Sequence, residues 1–204
     1  MSNLKNDLKD EIRASLENKF LRQSMDNFAV AYREGQKKTF AGIDKEKLVN
    51  DISGIKDASI SSIMDLYEQF KTNAQKKGVK VHYAKTALDA NRIIADIARK
   101  NNCKLIVKSK SMTSEETHLN PFLEKEGLEV IETDLGEWII QLRREGPSHM
   151  VMPAIHLSRY QVADLFSDVT QKTFDPENID LLVKVARKEL KEKFFEADMG
   201  ITGA

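Results

Sequence analysis

The sequence predicts an α/β fold that combines a parallel sheet with a helical N-terminal region. Apolar residues recur at helical spacing through residues 1–77, whereas residues 78–204 alternate short apolar runs with helical patterns. Successive strands of the second region are separated by roughly 25 residues, which is typical of strand–helix–strand crossovers in parallel sheets. The nine glycines and four prolines are about half the usual share of these residues, which favours helices over hairpins.

The N-terminal region, residues 1–77, is predicted to consist of helices. Leu8, Ile12 and Leu16 recur at four-residue steps, and the segment from Asp57 to Lys77 places its apolar side chains on one helical face. The first stretch contains no catalytic grouping. We interpret it as an amphipathic arm that packs on the domain or on a partner.

The second region, residues 78–204, is predicted to supply the sheet. Its predicted strands are Val79–Tyr83, Lys104–Lys108, Leu128–Glu132 and His149–Pro153. Its predicted helices begin near Thr86, Thr113, Asn120, Leu135, Ser158 and Asp175. Two of these starts, at Thr113 and at Ser158, have the spacing of a capping box. The residues after the last helix, Met199–Ala204, are predicted to form a glycine-rich turn.

Composition excludes several classes of protein. Lysine and arginine number 32, as do aspartate and glutamate, so the balanced charge argues against a general nucleic-acid binder and a polybasic membrane-surface protein. Cys103 is the single cysteine, which excludes an internal disulfide, a cysteine-ligated zinc site and an iron–sulfur cluster held by this chain alone. The sequence lacks both a long apolar run and the apolar stretch of a signal peptide, so we expect a cytoplasmic protein.

The first candidate site is the segment Lys108-Ser109-Lys110-Ser111, which directly follows a predicted strand. Ligands of open parallel sheets bind beyond the carboxyl ends of the strands. Two lysines and two hydroxyls at such a place could hold a phosphate or a carboxylate. The alternative interpretation is a solvated loop whose lysines have no binding role.

The second candidate site is Glu132-Thr133-Asp134, at the end of the next predicted strand. Paired carboxylates there could carry acid–base chemistry or coordinate a cation. The alternative is helix capping, because Asp134 is a favourable N-cap residue and Glu137 stands where a capping-box partner belongs.

Histidines provide a third, weaker indication. His156 lies in a predicted strand-to-helix loop and could donate to a substrate oxygen, although such a histidine more often bonds the local backbone. The histidine spacing does not match a helix-borne metal site, so we predict no metal site in this chain.

Several ordered motifs in the chain resemble a known family. They are Lys108–Met112, Glu132–Glu137, Gln141-Leu142, Pro147–His149, Pro153–His156 and Ala197–Gly203. Together they resemble the LUD domain of the lactate-utilisation protein B family, whose members are iron–sulfur oxidoreductase subunits. Residues 78–204 would then be a partial LUD domain, with a fold similar to the glucosamine-6-phosphate deaminase, ribose-5-phosphate isomerase and CoA-transferase superfamily.

The resemblance implies a role, with two companion proteins, in oxidising L-lactate to pyruvate. Full-length members of the family resemble a LUD domain followed by a ferredoxin-like domain with two 4Fe–4S clusters, so electron transport would belong to the parent protein. The sequence stops inside the Gly-Ile-Thr-Gly turn, which indicates either a domain cut from a longer protein or a frayed natural terminus. We therefore expect an incomplete domain without a cofactor of its own, inactive alone.

The resemblance also implies a small-anion pocket. Lys108, Lys110 and backbone amides would bind the anion, with Ser109 and Ser111 beside them. Further pocket residues would come from the glycine-rich turn, namely Gly200, Thr202 and Gly203. The candidates for a catalytic role are Glu132, Asp134 and His156.

Two other interpretations of the function stay open. One is a stand-alone enzyme of the isomerase or CoA-transferase type, with Glu132 or Asp134 as the base. The other is a docking module whose helical arm holds companion subunits. If strands are missing from the sheet, its unpaired edge should also let the isolated chain self-associate.

Overall fold

The computed structural model describes residues 2–203, so Met1 and Ala204, the outer ends of the two predicted regions, lie outside the described residues. The helices are α1 Ser2–Glu17, α2 Lys19–Thr39, α3 Lys45–Ser61, α4 Ile63–Lys76, α5 Ala87–Lys100, α6 Met112–Glu116, α7 Leu119–Lys125, α8 Leu135–Arg143, α9 Arg159–Thr170 and α10 Ile179–Glu196. The strands are β1 Leu105–Lys108, β2 Glu129–Glu132 and β3 Met199–Ile201. The predicted helical N-terminal region is confirmed by α1 to α4.

The chain divides into two compact units. Residues Asp26–Tyr83 form one unit, and the remainder of the described chain forms the other, which contains the sheet. Within the first unit, Asp44 caps α3 by accepting from the backbone N–H of Lys47 at 3.0 Å. The predicted boundary between residues 77 and 78 stays a prediction.

The three strands form a parallel sheet in the order β2-β1-β3. In this register Lys108 lies opposite Glu132 on one side and opposite Ile201 on the other. The carboxyl ends of all three strands therefore meet at one edge of the sheet. This confirms the predicted α/β fold with a parallel sheet.

Alternating side chains give the sheet two buried faces. Ile106 and Val130 join one apolar cluster with residues of α5 and α7, such as Ala95 and Leu123. Ile131 packs against the other cluster, which is built by α8, α9 and α10. Helices on both faces explain why β1 is buried along its whole length. Lys108, the last residue of β1, points to the face that α6 and α7 cover, because side chains alternate along a strand.

Several predicted elements are wrong. Val79–Tyr83 is not a strand; Tyr83 instead packs edge-on against Tyr67 of α4, with ring centroids 5.9 Å apart. His149–Pro153 is not a strand either, because Nδ1 of His149 accepts from the backbone N–H groups of Val151 and Met152. Those N–H groups would otherwise be available to a strand ladder.

Two helix starts and one turn also differ from the prediction. Ser111, not Thr113, caps α6, and Asn178, not Asp175, caps α10. The predicted glycine-rich turn contains β3, which pairs with β1. Asp198, just before β3, accepts from the backbone N–H groups of Lys104 and Leu105 at 2.7 and 3.0 Å. These two hydrogen bonds hold the start of β3 against the start of β1.

In the part of the chain that the structure describes, every helix is too short or too polar to span a bilayer.

Candidate functional site

The most buried charged group that the structure describes lies where β1 and β2 end. Nζ of Lys108 is 2.7 Å from Oε1 of Glu132, and the side chains are 0% and 3% exposed. Lys108 also donates to Oγ of Ser114 at 3.0 Å and lies 3.4 Å from Oε1 of Glu115. These three partners match the three N–H groups of an ammonium. The predicted ligand residue Lys108 is thus engaged within the protein in this arrangement.

Glu132 is held from several sides. Its Oε1 accepts from Nδ2 of Asn120 at 2.5 Å, and its backbone N–H donates to Oε1 of Gln141 at 3.0 Å. Its Oε2 is buried and has no hydrogen-bond partner among the described residues. Burial raises the pKa of the Glu132 carboxyl, and the opposing effects of Lys108 and Asn120 do not cancel this. The buried carboxylate of Glu132 therefore has one oxygen, Oε1, with polar partners and one, Oε2, without a hydrogen bond among the described residues.

The raised pKa of Glu132 gives a test by pH. A carboxyl whose pKa is raised on folding binds more protons in the folded state, so its contribution to stability is lost as pH rises above 4.5, its ordinary value. Glu132→Gln removes this titration. We expect the stability of the wild type relative to Glu132→Gln to fall between pH 4.5 and neutrality in urea denaturation. A relative stability that rises with pH would contradict the direction.

Lys110 forms the second ion pair at this edge. Its Nζ is 2.8 Å from Oε1 of Glu137, and the side chains are 25% and 6% exposed. Nζ also donates to the backbone oxygen of Val151 at 3.4 Å. Lys110 is therefore the one of the two predicted lysines that solvent reaches.

The serines on either side of Lys110 bond to other parts of the fold, Ser109 to the residues of and after β3 and Ser111 to the start of α6. Oγ of Ser109 donates to Oγ1 of Thr202 at 3.1 Å, and the backbone N–H of Ser109 donates to the oxygen of Ile201 at 2.9 Å. Ser111 caps α6 by accepting from the N–H of Ser114. The structure thus brings the predicted residues Thr202 and Gly203 together with residues 109–111. Gly200 lies in β3 opposite Val107, with nothing within 4 Å of the position of a Cβ.

Gly203 approaches Ser111 too closely for a side chain. A Cβ at Gly203 would overlap with Oγ and Cβ of Ser111. We expect Gly203→Ala to destabilise the fold by about 0.5–2 kcal/mol in urea denaturation, because the overlap displaces Ser111, whose hydroxyl caps α6. Gly146→Ala, where nothing lies within 4 Å, is the control. An equal effect of the two substitutions would show that the close approach is not maintained.

Asp134 acts as a helix cap. Its Oδ1 accepts from the backbone N–H groups of Gly136 and Glu137 at 3.1 and 3.2 Å, at the start of α8. The alternative interpretation of this residue, helix capping, is therefore confirmed. Gly136 is also where Pro153 packs, since a Cβ there would lie 2.9 Å from Cγ of that proline.

The loop between α8 and α9 contains a third polar cluster. Nδ1 of His156 is 2.6 Å from Oγ of Ser148, and Nε2 is 3.0 Å from Oε1 of Glu145. Oγ and the backbone N–H of Ser148 also contact the oxygen of Pro153, at 3.2 and 3.1 Å. The imidazole of His156 thus bonds two side chains of its own loop.

Sequence reasoning missed the partners of these groups. Asn120 and Ser114 carry no distinguishing signal, because each contacts Lys108 or Glu132 only after α6 and α7 fold onto the sheet. The sequence pattern around Glu137 indicates capping alone. Ser148 belongs to a matched motif and could have been singled out on that basis. Glu145 carries no signal in its own right.

A further concavity of about 300 Å³ lies between α5 and α7. Leu88, Asn91, His118 and Phe122 are among the residues that line it. Nδ2 of Asn91 donates to the backbone oxygen of Thr117 at 2.7 Å. The cleft contains none of the predicted site residues.

The described residues contain no cluster of three or more His, Cys, Asp or Glu side chains suited to a metal ion. Cys103 is buried in the apolar cluster around Ile106. The donor set therefore does not fit a 4Fe–4S cluster, which requires four cysteine thiolates.

The chain is similar in sequence to a known domain family and to several curated proteins. The model of the LUD domain matches residues 67–204, more than half of the chain. Lactate utilization protein B of Oceanobacillus iheyensis is 37% identical over 198 residues, which are 96% of this chain and 41% of that protein. Lactate utilization protein B of Bacillus subtilis is 49% identical over 144 residues, or 69% of this chain and 29% of that protein.

The relative from Bacillus licheniformis, also a lactate utilization protein B, is 47% identical over 144 residues, which are 69% of this chain and 30% of that protein. The chain thus spans less than half the length of these curated relatives. No solved structure matches it. Since the family model covers residues 67–204, the chain belongs to the LUD domain family.

Proposed function

We propose that this chain is the LUD part of an iron–sulfur electron-transfer protein that takes part in oxidising L-lactate to pyruvate. The names of the similar proteins, lactate utilization protein B, support the link to lactate. Their greater length leaves room for the electron carriers elsewhere in such a protein. In this proposal the chain binds a small anion and does not oxidise lactate unaided.

The iron–sulfur clusters of the proposal belong outside residues 1–204. The single cysteine, Cys103, lies in the apolar core, so it cannot supply the ligands. Reading the gene beyond the codon for Ala204 tests this part. We expect an open frame that reaches a Cys-x-x-Cys-x-x-Cys-x-x-x-Cys-Pro run. A stop codon at that position would remove electron transfer from the proposal.

The anion site of the proposal lies at the carboxyl edge of the sheet. One observation carries it: Lys110 is partly exposed above the buried Glu137, on the segment that also presents Ser109 and Ser111. A lysine and hydroxyls can hold a carboxylate through charge-assisted hydrogen bonds. The carboxyl ends of parallel strands are also the usual place for ligands. Lactate and pyruvate both carry such a carboxylate.

The two lysines have different roles in this proposal. Lys110 donates to the ligand. Lys108 does not, because its N–H groups already face Ser114, Glu115 and Glu132; these contacts hold the start of the segment 108–111 in place. Glu137 pairs with Lys110 at 2.8 Å and limits the rotation of its side chain. The residues thereby bind and orient an anion without transferring a proton to it.

Calorimetric titration with L-lactate, pyruvate and phosphate tests the anion site. We expect Lys110→Gln to weaken binding about tenfold or more, because a hydrogen bond to a charged group contributes about 1.5–3 kcal/mol. Lys188→Gln, at an exposed position of α10, should leave binding unchanged. Because Lys110→Gln leaves Glu137 unpaired, the Lys110→Gln/Glu137→Gln double variant is the second test. Unchanged affinity in both Lys110 variants would refute the site.

The proposal also includes companion subunits as partners. Helices α1 to α4 expose many large apolar side chains, and none of the residues described in α2, α3 and α4 is buried. Examples are Leu8, Ile12, Leu16, Ile55, Ile60, Ile63, Met64 and Phe70. Such side chains favour contact with another protein. Light scattering that finds only monomers at high concentration would count against the related expectation of self-association.

A further inference from the structure

The loop between α8 and α9 places a hydroxyl, an imidazole and a carboxylate in one hydrogen-bonded chain. Oγ of Ser148 lies 2.6 Å from Nδ1 of His156, whose Nε2 lies 3.0 Å from Oε1 of Glu145. An activated nucleophile has this arrangement: a weak nucleophile touches a base, and a third group orients the base. The proposed anion site uses none of these three residues.

The carboxylate determines which imidazole nitrogen carries the hydrogen. Partial burial would raise the pKa of Glu145, but hydrogen bonds from Arg143 and His156 outweigh it and hold the pKa below its usual value. An ionised carboxylate only accepts hydrogen bonds, so Nε2 of His156 is the donor. Nδ1 of the neutral ring is then an acceptor, and it faces the hydroxyl of Ser148. His156 is thereby oriented as a base toward that hydroxyl.

Exposure and local structure fit this role. Ser148 is exposed, whereas the side chains of His156 and Glu145 are 19% and 31% exposed. The backbone N–H of Ser148 donates to the oxygen of Pro153 at 3.1 Å, which fixes the position of the serine within the loop. The hydroxyl also lies 3.2 Å from that oxygen, but Nδ1 of His156, at 2.6 Å, is the nearer acceptor. Lys110 contacts the oxygen of Val151 in the same loop. A substrate can therefore reach the hydroxyl of Ser148, while the less exposed imidazole of His156 is held in place by Glu145.

We propose that Ser148, His156 and Glu145 form an acyl-transfer site that cleaves small carboxylic esters or thioesters. Oγ of Ser148 attacks the acyl carbon, and its proton passes to Nδ1 of His156. The bond from the acyl carbon to the leaving oxygen or sulfur breaks, and the leaving group takes that proton. Water then attacks the acyl-serine and gives a proton to His156. The bond between the acyl carbon and Oγ breaks, His156 returns the proton to Oγ, and the acid is released. The sequence of steps involves no net oxidation or reduction.

A fluorophosphonate probe tests the nucleophile without knowledge of the substrate. The full chain is incubated with the probe, and the modified peptides are quantified by mass spectrometry. We expect modification at Ser148 to be about 100-fold faster than at Ser61, an exposed serine of α3 whose hydroxyl donates to the backbone oxygen of Asp57. Equal rates at the two serines would overturn the proposal.

Three variants separate catalysis from loop structure. His156→Gln should lower the rate at Ser148 about 100-fold, and added imidazole should restore part of it. Glu145→Gln, a change at a positioning residue, should lower it by a smaller factor of about ten. His82→Gln, at an exposed position, should change nothing. If circular dichroism shows that His156→Gln is folded and it reacts as fast as the wild type, the three residues only hold the loop together and the proposal is wrong. If His156→Gln does not fold, a wild-type rate in Glu145→Gln overturns the proposal.

Discussion

Lys108→Met should destabilise the protein by about 3–5 kcal/mol, because it leaves the Glu132 carboxylate buried without its cation. Lys108 is fully buried and Glu132 nearly so, and the two charged atoms are 2.7 Å apart. Urea denaturation measures the loss directly. The loss should shrink as pH falls, since the Glu132 carboxyl, whose pKa burial raises, can then take up a proton.

The matched control for this prediction removes both charges. Lys108→Met/Glu132→Leu should recover about 2 kcal/mol of the loss, because replacing a buried ion pair with apolar residues often costs little. A stability within about 0.5 kcal/mol of the wild type for Lys108→Met alone, the range usual for surface substitutions, would contradict the burial of this pair. Since Lys110 follows two residues later, Lys108→Met should also weaken binding at the proposed anion site.

Phe166→Ala should destabilise the protein by about 3–5 kcal/mol, because it opens a cavity in the apolar cluster of α8, α9 and α10. Phe166 is 1% exposed, and its ring lies 5.5 Å from that of Trp138. Trp138 belongs to α8, the helix that also carries Glu137. Thermal or urea denaturation gives the magnitude. A weakened cluster should also weaken anion binding, because Glu137 would no longer hold Lys110 as firmly.

Phe195→Ala is the control for the packing prediction. Phe195 lies on α10 and is 80% exposed, so its loss should change stability by no more than about 0.5 kcal/mol. Similar losses for the two phenylalanine variants would show that Phe166 does not pack in the core beside Trp138.

The elements that could be predicted from the sequence are those with strong local signals. The apolar run within Lys104–Lys108 predicts a short strand, and the structure forms β1 there with all four of its residues buried. Ser158 and Gln161 have the spacing of a capping box, and both of its hydrogen bonds form at the start of α9. Asp134 likewise caps α8.

The features that could not be predicted depend on residues far apart in the chain. β3 has three residues, one of them Gly200, and it becomes a strand only because β1 offers it a partner. The burial of Lys108 depends on the pairing of β1 with β2, which places Glu132 opposite it although the two residues are far apart in the chain. The contact of His156 with Glu145 arises from the path of an irregular loop. Local propensity therefore predicts most of the strands and helices around the site but not the ion pairs between them.

The proposed anion site is tested most directly by mapping where pyruvate binds. Amide resonances of ¹⁵N-labelled protein are followed by NMR while pyruvate is added to the wild type and to Lys110→Gln. We predict saturable shifts for Ser109, Lys110, Ser111 and Thr202 in the wild type, which Lys110→Gln abolishes. Shifts confined to the cleft between α5 and α7, or no saturable shift at the edge of the sheet, would contradict the proposed site.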